Sequence, residues 1–272
     1  MKYCRFIFEG KSHYGTVEDR GGEPWIVDLT GAPEEDLGFR LEHGRATSWS
    51  FDFEPMPLSA ADLLPPVTPS KIVCVGRNYR EHAAELGNEV PAEPLLFFKP
   101  PSSLLKPGGT ILLPPASSRV DHEGELAIVI GRRASKLSAD FDTGSIIRGY
   151  TLANDVTARD LQKKDGQWTR AKGFDTFCPT GPWVSDEVDP AAGLIIETRV
   201  NGELRQHGST VDFIFTIPQL LAYITAAITL EPGDLVLTGT PSGVGPLADG
   251  NRVDVSIVGL GVLTNAAAKD HR

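Results

Sequence analysis

The sequence predicts a mixed α+β fold, mainly β, and three observations predict it. Strand-like runs predominate along the chain. Turn signals such as "DRGGEP" and "LTGAP" separate them in the first part. The few helical patterns do not alternate regularly with strands, as a doubly wound parallel sheet would demand. A Pro-rich stretch, "LLPPVTPSK", reads as a linker. It divides a small β-rich N-terminal domain, residues 1–65, from a larger domain, residues 70–272.

Residues 1 to about 65 give short, uneven strands, and the pattern becomes regular from Lys71 onward. "KIVCVG" is apolar throughout, as a buried strand is. "NYREHAAELG" predicts a short helix, with Asn78 as N-cap, Glu81 as its reciprocal partner and Gly87 as the closing residue. "PLLFFKP", "DHEGELAIVIG" and "IIRGYTLAND" read as strands, and a helix is expected to begin near "VTARDLQKK". The Asn-Gly in "IIETRVNGELRQ" signals a hairpin. "IPQLLAYITAAI" predicts the strongest C-terminal helix, with Pro218 in its first turn. "GDLVLTGTPSGVGP" is a strand running into a glycine-rich loop, and "NRVDVSIVGLG" is a further strand.

Composition excludes several function classes. The chain has 272 residues with 40% hydrophobic and 23% charged side chains, ordinary for a water-soluble globular protein. Its formal charge of −10, with no basic stripe, argues against nucleic acid. No apolar run approaches the roughly 20 residues of a membrane span, and "MKYCRFIFEG" lacks a signal peptide's apolar core. Three widely spaced cysteines, Cys4, Cys74 and Cys178, make no disulfide framework, so a cytoplasmic protein with reduced thiols is expected.

The run "DHEGELAIVIG" places Glu123 and Glu125 two apart, on one face of a strand. Two carboxylates side by side repel unless water separates them or a cation joins them. Asp155, where "YTLAND" ends, is a third acid at a strand end. Hard divalent ions such as Mg²⁺ take oxygen ligands of this kind. A solvated edge with Asp155 as a helix N-cap is the competing account from spacing alone.

The motifs "IVCVGRNYREHAAELG", "EPLLFFKP", "DHEGELAIVIG", "NDVTARD", "AKGFDTFCPTGPWV", "VNGELRQ" and "LTGTPSGVGP" stand in the order found in the fumarylacetoacetate hydrolase family. The chain resembles most its acylpyruvate hydrolase and oxaloacetate decarboxylase members, from about Lys71 to Gly259. The resemblance implies a β-sandwich roll, a homodimer, and a Mg²⁺ or Mn²⁺ ion on Glu123, Glu125 and Asp155. It implies a His82–Glu85 pair on a short mobile helix and an active-site Lys172. It also implies Arg159, Gln162 and Thr240 near a small anionic 2-oxo acid. The N-terminal segment departs from the shortest members and leaves the dimer contacts open.

The chemistry suits these residues. A 2-oxo acid chelates a divalent ion, which stabilises charge on the keto oxygen as pyruvate departs as its enolate. Three carboxylates and one such ion sum to −1, so an ammonium such as Lys172 is needed to admit an anionic substrate. His82 and Glu85 share a helix face, and a carboxylate beside an imidazole makes a base able to activate water. Without the resemblance, they would read as a surface pair. Hydrolysis of an acylpyruvate and decarboxylation of oxaloacetate then share one enolate stage.

Other readings compete. Within the family these are isomerases, decarboxylases or hydratases of unsaturated oxo-diacids from aromatic catabolism. A non-catalytic binding protein with a structural metal is a second class. A non-heme iron oxygenase, invited by His122 beside Glu123, is a third, but neighbours on a strand face opposite ways. Gly239, Gly243 and Gly245 imitate a phosphate loop, but no Gly-Lys-Ser/Thr follows, so their amides and the Thr240 hydroxyl are expected to hold a carboxylate instead. Cys74 is expected in the core, Cys178 shows no activating partner, and Lys99 is a candidate to face the pocket.

Overall fold

Alternation along Gly124–Ile130 organises the molecule. Leu126, Ile128 and Ile130 enter one apolar cluster, while Ala127 and Val129 enter a second on the opposite face. A computed structural model describes residues 1–31, 53–85, 89–138 and 140–271. In it the strand is central to a large sheet. That sheet runs from Met56–Pro57 through Glu23–Thr30, Lys11–Arg20 and Lys2–Phe8 to Cys178–Ser185. It continues through Ile147–Asn154, Gly124–Ile130, Leu235–Leu237 and Ile72–Gly76 to Leu95–Lys99.

A second sheet is ordered Glu203–Ser209, Ile195–Val200, Arg252–Ile257, Gly261–Lys269 and Thr110–Leu113. Its Ile196, Val255, Ile257 and Leu263 pack onto Leu126, Ile128 and Ile130, together with Leu220, Leu221 and Ile224 of the helix Ile217–Ala227. The fold is thus mostly β, as expected. That helix begins at Thr216, whose amide donates to Gln219 Oε1, and Pro218 lies in the first turn. The hairpin turns at Asn201 and Gly202, both with positive φ (51° and 83°), the conformation its Asn-Gly pair favours.

The N-terminal strands hold their own cluster of Cys4, Phe6, Val17, Ile26 and Leu29, closed by Trp183 from the larger part. They also extend the large sheet, with Tyr3 opposite Val184. Among the described residues no helix is long and apolar enough to cross a membrane.

Candidate active site

A cavity of about 440 Å³ opens where the Gly124–Ile130 strand begins. Glu123, Glu125 and Asp155 reach it from adjacent antiparallel strands, because Gly124 registers opposite Asn154. The Asp155 amide donates to Glu123 O (2.8 Å), and Glu123 N donates to Asn154 Oδ1 (2.9 Å). These bonds lock the two strand ends together. One carboxylate oxygen from each acid lies within 4.8 Å of the others, and the residues are only 4%, 2% and 1% exposed. The shared face expected for Glu123 and Glu125 is present. Gly124 between them has no room for a side chain, since a Cβ would lie 2.1 Å from Thr198 Oγ1.

Three cations surround two of these acids. Lys172, at the end of the short helix Thr169–Lys172, donates to Glu123 Oε2 (2.8 Å) and Asp155 Oδ2 (2.6 Å). Lys99 donates to Asp155 Oδ1 (2.7 Å) and Val156 O (3.2 Å). Arg159 donates through Nη2 to Glu123 Oε1, through Nε to Asp121 Oδ2 (2.9 Å) and through Nη1 to Gln162 Oε1 (2.9 Å). Burial works to raise the Glu123 pKa, but Arg159 and Lys172 overcome it and hold the carboxyl well below the usual range. Burial likewise opposes the Lys172 charge, and Asp155 and Glu123 reverse that effect, leaving its pKa raised.

Glu125 differs. Its Oε2 accepts the Gly239 amide (2.7 Å), and among the described residues no cation pairs with it. Burial, then the charges of Asp155 and Glu123, push its pKa well above the carboxylate range. A buried carboxylate next to two others, with one amide for company, is short of positive charge. The all-oxygen donor set of Glu123, Glu125 and Asp155 therefore fits a hard divalent cation.

His82 lies on the helix Arg80–Glu85, buried, with Nδ1 at 3.2 Å from Glu85 Oε2. Glu85 Oε1 in turn accepts the Gly243 amide (3.0 Å), tying this helix to the glycine-rich loop. A carboxylate oxygen accepts, so Nδ1 is the donor of this pair and Nε2 is the ring nitrogen left outside it. Gly239 is needed where it stands: its φ is +97°, and a Cβ would meet Asn78 Cβ at 2.8 Å. The Thr240 hydroxyl donates to Gly124 O (2.8 Å). Its proton and the Gly239 amide are thus committed to protein rather than free for a substrate carboxylate. Phe97 and Trp168 form an aromatic wall, edge to face at 5.1 Å, with Lys172 Nζ 4.9 Å from the Phe97 centroid.

His82, Glu123, Glu125, Asp155, Arg159, Gln162, Lys172 and Thr240 all line the cavity, and Glu85 stands behind His82. Lys99, a candidate to face the pocket, is instead buried behind Asp155. Asn78 does not cap its helix. Its side chain bonds Phe215 N and O and Thr238 O, so its amide is spent joining two distant segments. Gly87 falls outside the described residues. Cys74 and Cys178 are buried, with burial pushing Cys178 up to about 11 and Cys74 well above the ordinary thiol value, which disfavours the thiolate a nucleophile needs. His122 turns away from the carboxylates toward Gln206 (3.3 Å).

Sequence reasoning did not single out Arg77, Trp168 or Gln206. Arg77 lines the cavity with φ +58°, a strained value for a side-chain-bearing residue that nothing in the letters announces.

The profile described as fumarylacetoacetate (FAA) hydrolase C-terminal matches residues 71–267. An oxaloacetate decarboxylase, mitochondrial, from Dictyostelium discoideum is 46% identical over 202 residues, covering 71% of this chain and 91% of that protein. An oxaloacetate tautomerase, FAHD2B, mitochondrial, from Bos taurus is 40% identical over 275 residues, covering 93% and 86%. The crystal structure of 2-hydroxyhepta-2,4-diene-1,7-dioate isomerase from Mycobacterium marinum matches with a TM-score of 0.85 and 41% identity, covering 100% of both chains. Likeness of this extent makes the chain a member of the fumarylacetoacetate hydrolase family of enzymes.

Proposed function

We propose that this enzyme uses Mg²⁺ or Mn²⁺ to cleave a C–C bond in a small 2-oxo acid, by acylpyruvate hydrolysis, oxaloacetate decarboxylation or both. The single observation that carries this reading is the buried trio Glu123, Glu125 and Asp155 with Glu125 left uncompensated. Glu123, Glu125 and Asp155 would hold the cation. When bound, it supplies Lewis acidity toward the keto oxygen of a chelating 2-oxo acid.

The chain's own groups divide the remaining work. Lys172 offsets the negative charge of substrate and carboxylates and can deliver a proton to the departing pyruvate enolate. His82 Nε2, its ring oriented by Glu85, takes a proton from water as the oxygen attacks the distal carbonyl of an acylpyruvate. The C–C bond breaks with its electron pair passing to pyruvate, and the acyl group leaves as an acid. Oxaloacetate needs no water, because its C–C bond breaks with loss of CO₂. Arg159 is pinned by Asp121, so it sets the Glu123 orientation and steers Gln162 toward the pocket.

A second reading is proton transfer alone, supported by relatives named tautomerase and isomerase. It needs the same held 2-oxo acid but no broken bond. Acylpyruvates, oxaloacetate in keto and enol forms, and unsaturated oxo-diacids, each assayed with Mg²⁺ and with EDTA, separate the two. Cleavage products support the first reading, interconversion alone supports the second, and no metal-dependent turnover of any of them rejects both. We further propose a cytoplasmic homodimer, supported by three buried free cysteines and by exposed Leu95 and Phe98 on the outermost strand of the large sheet. A monomer in sedimentation equilibrium would contradict the dimer.

A further inference from the structure

Gln206 lies on the strand Glu203–Ser209, fully buried, behind the cavity wall rather than in it. Its Oε1 accepts the Gly124 amide (2.9 Å) and faces His122 Nδ1 (3.3 Å). Its Nε2 donates to Thr240 Oγ1 (2.7 Å) and Pro241 O (2.8 Å). The partners settle which end is which: a backbone N–H only donates and a carbonyl only accepts. Thr240 Oγ1 therefore accepts a hydrogen bond from Gln206 and donates its own to Gly124 O (2.8 Å). Gln206 and Thr240 together close a hydrogen-bonded ring with Gly124.

That glycine separates Glu123 from Glu125. The strand Leu235–Leu237 pairs with Ala127–Val129, and beyond it Thr238 N reaches Leu126 O (3.1 Å). Among the described residues no strand continues along this edge at Gly124. The Gln206 amide and the Thr240 hydroxyl take its place, satisfying both backbone groups of Gly124 and fixing the peptide planes on either side. Those planes set where the two glutamate side chains point.

We propose that Gln206 is a positioning residue: by clamping Gly124 from behind and joining it to the Thr240–Pro241 loop, it sets the affinity of the carboxylate trio for a divalent cation. This rests on the reading that the trio binds such an ion. Gln206 touches neither ion nor substrate, so its effect travels through the backbone of Gly124. Partners that orient metal ligands in this indirect way are typically worth about 10- to 100-fold in affinity.

The test is Mn²⁺ binding to the full-length protein, followed by the electron paramagnetic resonance of free Mn²⁺. Gln206→Met keeps the reach and volume but removes all four hydrogen bonds. Leu221→Ala, in the core cluster, controls for general loss of stability. We expect Gln206→Met to raise the Mn²⁺ Kd by about 10-fold or more. Its turnover deficit should shrink as Mn²⁺ is raised, and Leu221→Ala should bind Mn²⁺ like the parent protein. If Gln206→Met does not fold, Thr240→Val removes the same ring from its other side, with Thr240→Ser as the hydroxyl-retaining control. The proposal is overturned if the parent binds Mn²⁺ and Gln206→Met, or Thr240→Val in its place, binds within twofold of it, or if Leu221→Ala weakens binding equally. If the parent itself binds no Mn²⁺, the metal reading fails first and the proposal with it.

Discussion

Lys172 Nζ lies 2.6 Å from Asp155 Oδ2, and the same ammonium reaches Glu123 Oε2 at 2.8 Å. One buried cation thus spans two of the three acids and leaves Glu125 to be matched by something else. Replacing Lys172 by Met should cut turnover by about 100-fold or more, the scale of a lost proton donor. Lys172→Arg should not rescue it, because the site is closed around an ammonium. Steady-state rates check both, and a Met variant within threefold of the parent would remove Lys172 from the chemistry.

In the proposed reaction the His82–Glu85 pair serves attacking water, and only hydrolysis needs that water. His82→Ala should therefore lower acylpyruvate hydrolysis by about 10²- to 10⁴-fold while sparing oxaloacetate decarboxylation much more. Side-by-side rates on one preparation decide the matter. Equal losses would mean that His82 acts before the two reactions diverge.

The raised pKa of Glu125 has a pH consequence with a definite sign. A carboxyl with a folded-state pKa above its unfolded value lends stability at low pH, and that contribution is lost as pH rises through the folded value. Glu125 in the metal-free protein should therefore work against stability as pH climbs above the ordinary carboxylate range. Binding a cation there displaces its proton, so Mg²⁺ affinity should rise over the same span. Thermal midpoints against pH with and without Mg²⁺ test this. The stabilisation by Mg²⁺ should grow with pH and be absent in Glu125→Gln.

Gly124→Ala should be costly out of proportion to one methyl group, because its Cβ would sit 2.1 Å from Thr198 Oγ1. Overpacking of this kind costs about 1–3 kcal/mol. Among the described residues the Thr198 hydroxyl has no hydrogen-bond partner, so adding Thr198→Ala should recover part of the loss without orphaning another group. Denaturant midpoints of the single and double variants measure it.

Much of this site is local in the sequence and therefore legible. Glu123 and Glu125 share a face because strand side chains alternate, and Asp155 joins them because the adjoining strand ends there. The Asn201–Gly202 turn and the Thr216-capped helix carry their own signals. Asn78 misled because its spacing suits a cap, yet its amide is captured by Phe215 and Thr238, which only the folded chain brings near. The Asp155 partner of Lys99 and the whole role of Gln206 were hidden for the same reason. Lys99 meets Asp155 56 residues away, and Gln206 meets Gly124 82 residues away, through sheet packing that no short pattern encodes.

The most direct measurement follows oxaloacetate consumption by the purified protein after exhaustive chelation and then during titration with Mn²⁺. The account predicts that activity disappears with the metal and returns as about one ion per chain is bound, and that Glu125→Gln and Asp155→Asn fail to recover at the same concentration. Turnover that persists undiminished in metal-free protein would contradict it.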